Sequence, residues 1–316
     1  MNVDRRDFMK ILSAGAVVAA APKSLLADER STIPPDANGI LYDAALCIGC
    51  KNCEIACQKN NPVPALYSEY YKSDRDPYSL TMNKIEVYRN GDGTQKDREI
   101  DGYSFIKKAC MHCADPDCVS ACPATALVKD KATGIITWDK DACIGCRYCQ
   151  VACPYLIPKF EYGAAIPNIV KCEMCRHVQD KGGIPGCCSD CPTGAAVFGK
   201  FSDILAEAKK RLTIEAGKEY KFPIADLNGG KSNVQPVKKY VNYVYGEKEG
   251  GGTQYLILSA VPYEKLGLPS LPDYSDASKS EGLQHTLYKG LIAPIVLLGG
   301  LTFAAYRTAK NEEKTD

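Results

Sequence analysis

Cysteine spacing constrains this chain more than any other feature. Cys143-Ile-Gly-Cys146-Arg-Tyr-Cys149-Gln-Val-Ala-Cys153-Pro154 reads C-x2-C-x2-C-x3-C-P. Cys47, Cys50, Cys53 and Cys57 repeat that spacing, with Gln58 in place of the proline. Cys110, Cys113, Cys118 and Cys122 follow with two extra residues before the third cysteine, and Pro123 closes the run. In the last set a long insert separates Cys172 and Cys175 from Cys187 and Cys191, and Pro192 follows. Of the 17 cysteines, all but Cys188 fall into these four quartets. Cys187 keeps the three-residue gap to its partner Cys191, so it is the expected ligand and Cys188 a buried free thiol.

Three thiolates at this spacing close on one iron–sulfur cube, and the fourth reaches a neighbouring one. The recurrence therefore predicts paired [4Fe–4S] clusters, four in all. Structural zinc uses two C-x2-C pairs and leaves the three-plus-one arrangement unexplained. A disulfide framework has no need of a repeated ligand spacing. With 39 basic and 38 acidic residues the net charge is +1, which gives no reason to expect a nucleic-acid partner. There is no P-loop, no nucleotide-binding G-x-G-x-x-G and no zinc-protease helix. The expectation is an electron carrier without a catalytic site. Lys51, Arg147 and Lys171 stand in or beside ligand loops, where positive charge offsets cluster charge. His112, between Cys110 and Cys113, reads as structural; His177 falls in the long insert, and His285 precedes the last apolar run.

Export is written at the N-terminus. Asp4-Arg5-Arg6-Asp7-Phe8-Met9-Lys10 precedes an Ala-rich apolar run from Ile11 to Ala21, a twin-arginine signal with Ala27 as the expected last residue removed. That route carries folded proteins, so clusters can be assembled in a reducing compartment first. Short strands are expected at Ile40–Tyr42, Lys84–Tyr88, Tyr103–Lys107, Ile135–Trp138 and Ala195–Gly199. Strand, ligand loop and short helix recur between Cys110 and Cys143, the rhythm of a duplicated unit. Ser202 is placed to cap a helix to Leu212, with Ile204, Leu205, Ala208 and Leu212 on its apolar face. Gly250-Gly251-Gly252 lacks the Lys-Ser/Thr of a phosphate loop and reads as a tight turn before a strand over Thr253–Val261.

From Gly290 to Tyr306 no charge interrupts the sequence. About 17 residues of helix rise about 25 Å, close to the bilayer core, with Tyr288, Tyr306, Lys289 and Arg307 as interface anchors. Arg307, Lys310 and Lys314 place the tail inside by the positive-inside rule. The expected organisation is a signal over 1–27, a four-cluster domain over 28–200, an extension over 201–286, a transmembrane helix over 287–307 and a cytoplasmic tail over 308–316. The fold class is α+β: a duplicated bacterial dicluster-ferredoxin fold with a C-terminal extension and one transmembrane helix, facing the periplasm from the inner membrane.

The whole pattern resembles the electron-transfer subunits of respiratory complexes, such as the β subunit of membrane-bound formate dehydrogenase. Arg5-Arg6, Lys107-Lys108-Ala-Cys110-Met111-His112-Cys113, Tyr245-Gly-Glu-Lys-Glu-Gly-Gly-Gly-Thr-Gln254 and Gln284-His-Thr-Leu-Tyr-Lys-Gly290 resemble more closely the ferredoxin-like subunit of nickel–iron hydrogenase-2. The resemblance implies that the outer two quartets exchange fourth ligands, as do the inner two. One cluster would then be held by Cys47, Cys50, Cys53 and Cys191, and its partner by Cys172, Cys175, Cys187 and Cys57. The inner pair would use Cys110, Cys113, Cys118 with Cys153, and Cys143, Cys146, Cys149 with Cys122. It further implies electrons arriving from the small and large subunits of a hydrogenase and leaving to an integral membrane subunit that reduces quinone. The same relay in a formate dehydrogenase or other molybdenum oxidoreductase is the nearest alternative, and a zinc- or disulfide-stapled structural or assembly protein a more distant one.

Overall fold

A computed structural model describes residues 32–61, 81–160, 168–282, 294, 295, 297–303, 305 and 306. The chain divides into two compact units: Arg30–Ala277, which holds every cysteine, and a second made of Met1–Glu29 with Ser278–Asp316.

The larger unit is built on a four-stranded mixed sheet. Its centre is β1 (Asn38–Asp43), buried along almost its whole length because Ile40, Leu41 and Tyr42 have apolar cover on both faces. The strand β9 (Ala196–Lys200) runs antiparallel to it, with Ile40 opposite Phe198, and β13 (Tyr255–Leu258) runs parallel on the other side, with Ile40 opposite Tyr255. The short β11 (Ala225–Asp226) completes the order β11-β9-β1-β13. The expected strands at Ile40, Ala195 and Thr253 are therefore neighbours in one sheet, with the third shortened to four residues. A segment far along the chain thus closes the sheet begun by the first.

Around this sheet lie small two- and three-stranded sheets that carry the ligand loops. A three-stranded sheet pairs β2 (Asn83–Arg89) with β4 (Gly102–Ala109) and adds β3 (Gln95–Lys96). The ladder ends at Ala109, which delivers the chain to Cys110. β5 (Leu127–Lys129) pairs with β6 (Ile136–Trp138), joining the second quartet to the third. β7 (Lys159–Phe160) with β8 (Ile169–Val170) joins the third to the fourth.

The helix α6 (Phe201–Thr213) packs Ile204 and Ala208 against Leu41, Leu256 and Leu258 of the sheet. Its cap differs from expectation: no side chain caps it, and the Ser202 hydroxyl donates to Asp203 instead. Arg211 shares the buried face with Ile204 and Ala208. The glycine run forms a tight turn, with Gly250, Gly251 and Gly252 at φ 62, 84 and 97, values a side chain would disfavour.

Toward the C-terminus the described residues from Pro294 to Tyr306 are helical, and Ile295, Leu298, Leu301 and Phe303 stand exposed. The rest of the expected span over 287–307 lies outside the described residues, as do the signal over 1–27 and His285. Among the described residues, no helix is long and apolar enough to cross a membrane.

Candidate metal centres

Each ligand loop turns through the left-handed region in the same place. Ahead of the second cysteine of each quartet stand Gly49, His112, Gly145 and Met174, with φ 71, 48, 71 and 51. Lys51 and Arg147, just after that cysteine, repeat it at φ 61 and 67. Two such turns curl the backbone so that successive cysteines face one side rather than alternating. A side chain in this region costs about 1–2 kcal/mol, so the loops at His112 and Met174 hold their shape against local preference.

Short helices follow in each quartet. They are α1 (Asn52–Asn60), α2 (Asp117–Ser120), α3 (Tyr148–Ala152), α4 (Arg176–Gln179) and α5 (Gly186–Ser189). Where proline follows the fourth cysteine, the chain turns sharply, and Thr125, Leu156 and Gly194 sit at positive φ three residues after it. Gln58 lets α1 continue to Asn60. Asn61 then ends it, its amide donating to Cys57 O at 2.9 Å and lying 3.6 Å from the sulfurs of both Cys57 and Cys175.

The loops bring cysteines distant in sequence into common cavities. Cys47, Cys50, Cys53 and Cys191 line one, walled by Tyr42, Ile85, Lys107 and Ala196. Cys122 joins Cys143, Cys146 and Cys149 around another, walled by Leu127, Arg147, Phe160 and Ile169. Elsewhere Cys113 feels the charges of Cys153, Cys110 and Cys118, and Cys172 those of Cys57, Cys187, Cys110 and Cys175. All seventeen cysteines are free thiols. Among the described residues, no three His, Cys, Asp or Glu side chains converge on a point that would hold a single metal ion.

Burial raises several of the thiols. It pushes Cys53 and Cys149 up to about 12 and Cys153 up to about 11, and it raises Cys118 as well. Neighbouring sulfurs raise Cys149 further, because each new thiolate is repelled by the others. Concentrated positive charge, which an iron–sulfur core would supply, favours the ionised form of the thiols raised in this way. Two orphaned donors also fit a sulfide-bearing guest. The Tyr255 hydroxyl and His112 Nε2, each 1% exposed, have no hydrogen-bond partner among the described residues.

The remaining expected residues fall into place as follows. His112 Nδ1 accepts from Ile136 N at 3.1 Å, and burial, followed by Lys171 and Lys129, holds the ring well below the usual histidine range, so it is a neutral strut. His177 contacts Asn60 O at 2.9 Å and ties α4 to α1. Lys171 is buried, but its ammonium donates to the carbonyls of Ile136 and Cys172. Cys188 is fully buried with its sulfur 4.0 Å from that of Cys187.

Two residues that sequence reasoning missed anchor the site. Lys107 is 2% exposed beside Cys53 and Cys187. Arg211 is fully buried against Asp43 at 3.0 Å and Glu207 at 2.8 Å. Asp43 in turn receives Tyr240 OH at 2.7 Å and Ala45 N at 3.1 Å, which fixes the chain just before Cys47.

Residues 102–201 match the family model described as a 4Fe-4S dicluster domain. The chain is 47% identical over 319 residues to the hydrogenase-2 operon protein HybA of Escherichia coli O157:H7, covering 98% of this chain and 97% of that one. It is 31% identical to the formate dehydrogenase-O iron-sulfur subunit of Escherichia coli K12, covering 84% of this chain and 80% of that one. The nitrate-inducible formate dehydrogenase iron-sulfur subunit of the same organism is 28% identical over 97% of this chain and 95% of its own.

Proposed function

This chain belongs to the family of the hydrogenase-2 operon protein HybA, a family of 4Fe-4S iron–sulfur proteins, and from that premise we propose that it is a non-catalytic relay subunit carrying four [4Fe–4S] clusters between a hydrogenase and a membrane quinone-reducing subunit. The outer clusters are held by Cys47, Cys50, Cys53 and Cys191, and by Cys172, Cys175, Cys187 and Cys57. The inner clusters are held by Cys110, Cys113, Cys118 and Cys153, and by Cys143, Cys146, Cys149 and Cys122. The observation that carries the reading is the fourth cysteine: Cys191 and Cys122 each line a cavity with three cysteines of a different quartet. Such cross-ligation would tie one quartet's cluster to the fourth cysteine of another.

A bound [4Fe–4S] cluster supplies one-electron exchange, at potentials from about −700 to +450 mV set by charge, hydrogen bonds and exposure. The chain's part is to hold the sulfurs, exclude water and leave ports. Cys50 and Cys146 are the exposed cysteines, each in a Cys-Ile-Gly-Cys loop whose isoleucine also faces out. These loops are the surface contacts for partners. The domain is exported folded by the twin-arginine route and tethered by the apolar segment over 287–307, facing the periplasm from the inner membrane. Relatives that are formate dehydrogenase iron-sulfur subunits keep the formate relay as the second reading, but the identity to them is lower.

The test uses the complex purified in mild detergent. Four clusters require about 16 iron and 16 sulfide per chain. Nickel with hydrogen uptake in the co-purifying subunits supports the hydrogenase reading; molybdenum replaces it with the formate one. Cys146→Ala is expected to interrupt hydrogen-driven quinone reduction while the partner's dye reduction stays largely intact. Unchanged quinone reduction removes the relay.

A further inference from the structure

β4 carries Lys107 into the interior, where it walls the cavity of Cys47, Cys50, Cys53 and Cys191. The same ammonium lies beside Cys187, a member of the neighbouring ligand set, and 5.5 Å from the centre of the Tyr255 ring. Its electrostatic neighbours are Cys187, Tyr255, Cys53 and Cys188, and among the described residues no carboxylate forms an ion pair with it. The contrast with other shielded lysines is chemical. Lys171 spends its donors on two carbonyls, and Lys96 pairs with Asp97 at 2.6 Å. A buried ammonium lacking such partners costs several kcal/mol unless negative charge stands beside it. Here that charge is sulfur. The Tyr255 hydroxyl, orphaned and 1% exposed, faces the same group of cysteines.

We propose that Lys107 is a positioning charge for the outer cluster pair, its ammonium raising the potentials of both clusters by stabilising their reduced state, with the Tyr255 hydroxyl as a supporting donor. The inference rests on the four-cluster reading. One electron enters a cluster, making its thiolate-bound unit one charge more negative, and no bond to Lys107 forms or breaks. The fixed positive charge, in a water-poor site, favours the more negative state.

The experiment is a dithionite redox titration of the full chain in its detergent-purified complex, followed by low-temperature electron paramagnetic resonance with iron and sulfide analysis. Cys50→Ala marks the outer transitions by altering them. Lys107→Met is expected to shift those transitions to lower potential by a tenfold change or more in the oxidised-to-reduced ratio, about 59 mV for one electron. Lys107→Arg should keep them near wild type, and Tyr255→Phe should move them the same way by less. If Lys107→Met loses outer-site iron while Lys107→Arg retains it, the charge requirement is supported. Unmoved outer transitions in iron-replete Lys107→Met, equal shifts in the Met and Arg variants, or iron loss in both overturn the proposal. Iron absent from the wild-type chain overturns the cluster reading and this inference together, whereas iron present with unmoved potentials overturns only this one.

Discussion

Arg211 is a full charge with no exposed surface, held by Asp43 and Glu207 and lying 4.9 Å above the Phe222 ring. Burial alone raises the Asp43 carboxyl; Arg211 and Tyr240 pull it back. Removing one partner of such a pair leaves the other charge buried and uncompensated, at about 3–5 kcal/mol. Arg211→Met is therefore expected to lower the unfolding free energy of the holo chain by that order, and Asp43→Asn added to it should restore part of the loss. Additive losses in the double variant would show that the two do not act as a pair. The sequence held a signal for this residue. On α6, Arg211 lies seven residues after Ile204 and three after Ala208, on the stripe whose other members are apolar. A charge on that stripe either snorkels or finds a buried partner, and only the fold shows that Asp43 waits there. Lys107 gave less away, because two lysines precede Cys110 in the strand and periodicity does not say which one turns inward.

The ligand loop is the element in which sequence and structure meet most closely. Spacing names the quartets because covalent reach is local: two residues between cysteines and a left-handed turn leave few ways to aim the sulfurs. Gly49 shows the constraint. At φ +71, a Cβ on it would come within 2.3 Å of the Phe105 ring. Gly49→Ala is expected to lower iron in the cluster set of Cys47, Cys50 and Cys53 and to destabilise the loop by about 1–2 kcal/mol from backbone strain alone. Iron analysis with electron paramagnetic resonance checks it, and Gly49→Ala combined with Phe105→Leu should recover iron if the ring is the obstacle. Pairing of fourth ligands is a different matter. Cys191 meets Cys47 only because β9 lies antiparallel to β1, with Leu41 opposite Val197, and no local pattern encodes that register. The resemblance to a known family implies a pairing on which spacing is silent. The missing proline after Cys57 left a turn unspecified; there α1 simply runs on until Asn61 closes it.

At the scale of the molecule the chain separates a cluster-bearing unit from the segments at its ends. Arg30–Ala277 holds every cysteine, and β13, late in the chain, completes the sheet that β1 begins. Among the described residues, every strand and every cysteine lies within this unit. The apolar side chains of Ile295, Leu298, Leu301 and Phe303 are exposed on their helix, and burying one such side chain is worth about 1.5–3 kcal/mol. A helix with this surface gains from lipid what water denies it. Stopping the chain before Leu287 is thus expected to leave cluster content and visible absorption unchanged while moving the partner-free protein from washed membranes to the soluble fraction. Partner-free conditions matter, because a membrane subunit could retain the truncated chain by contact alone. Fractionation after a high-salt wash reads the result, since salt screens surface charge and leaves an apolar anchor in place. Truncated protein that stays with the washed membrane places the tether elsewhere. Loss of iron on truncation would instead mean that the cluster unit depends on the terminal segment for its fold.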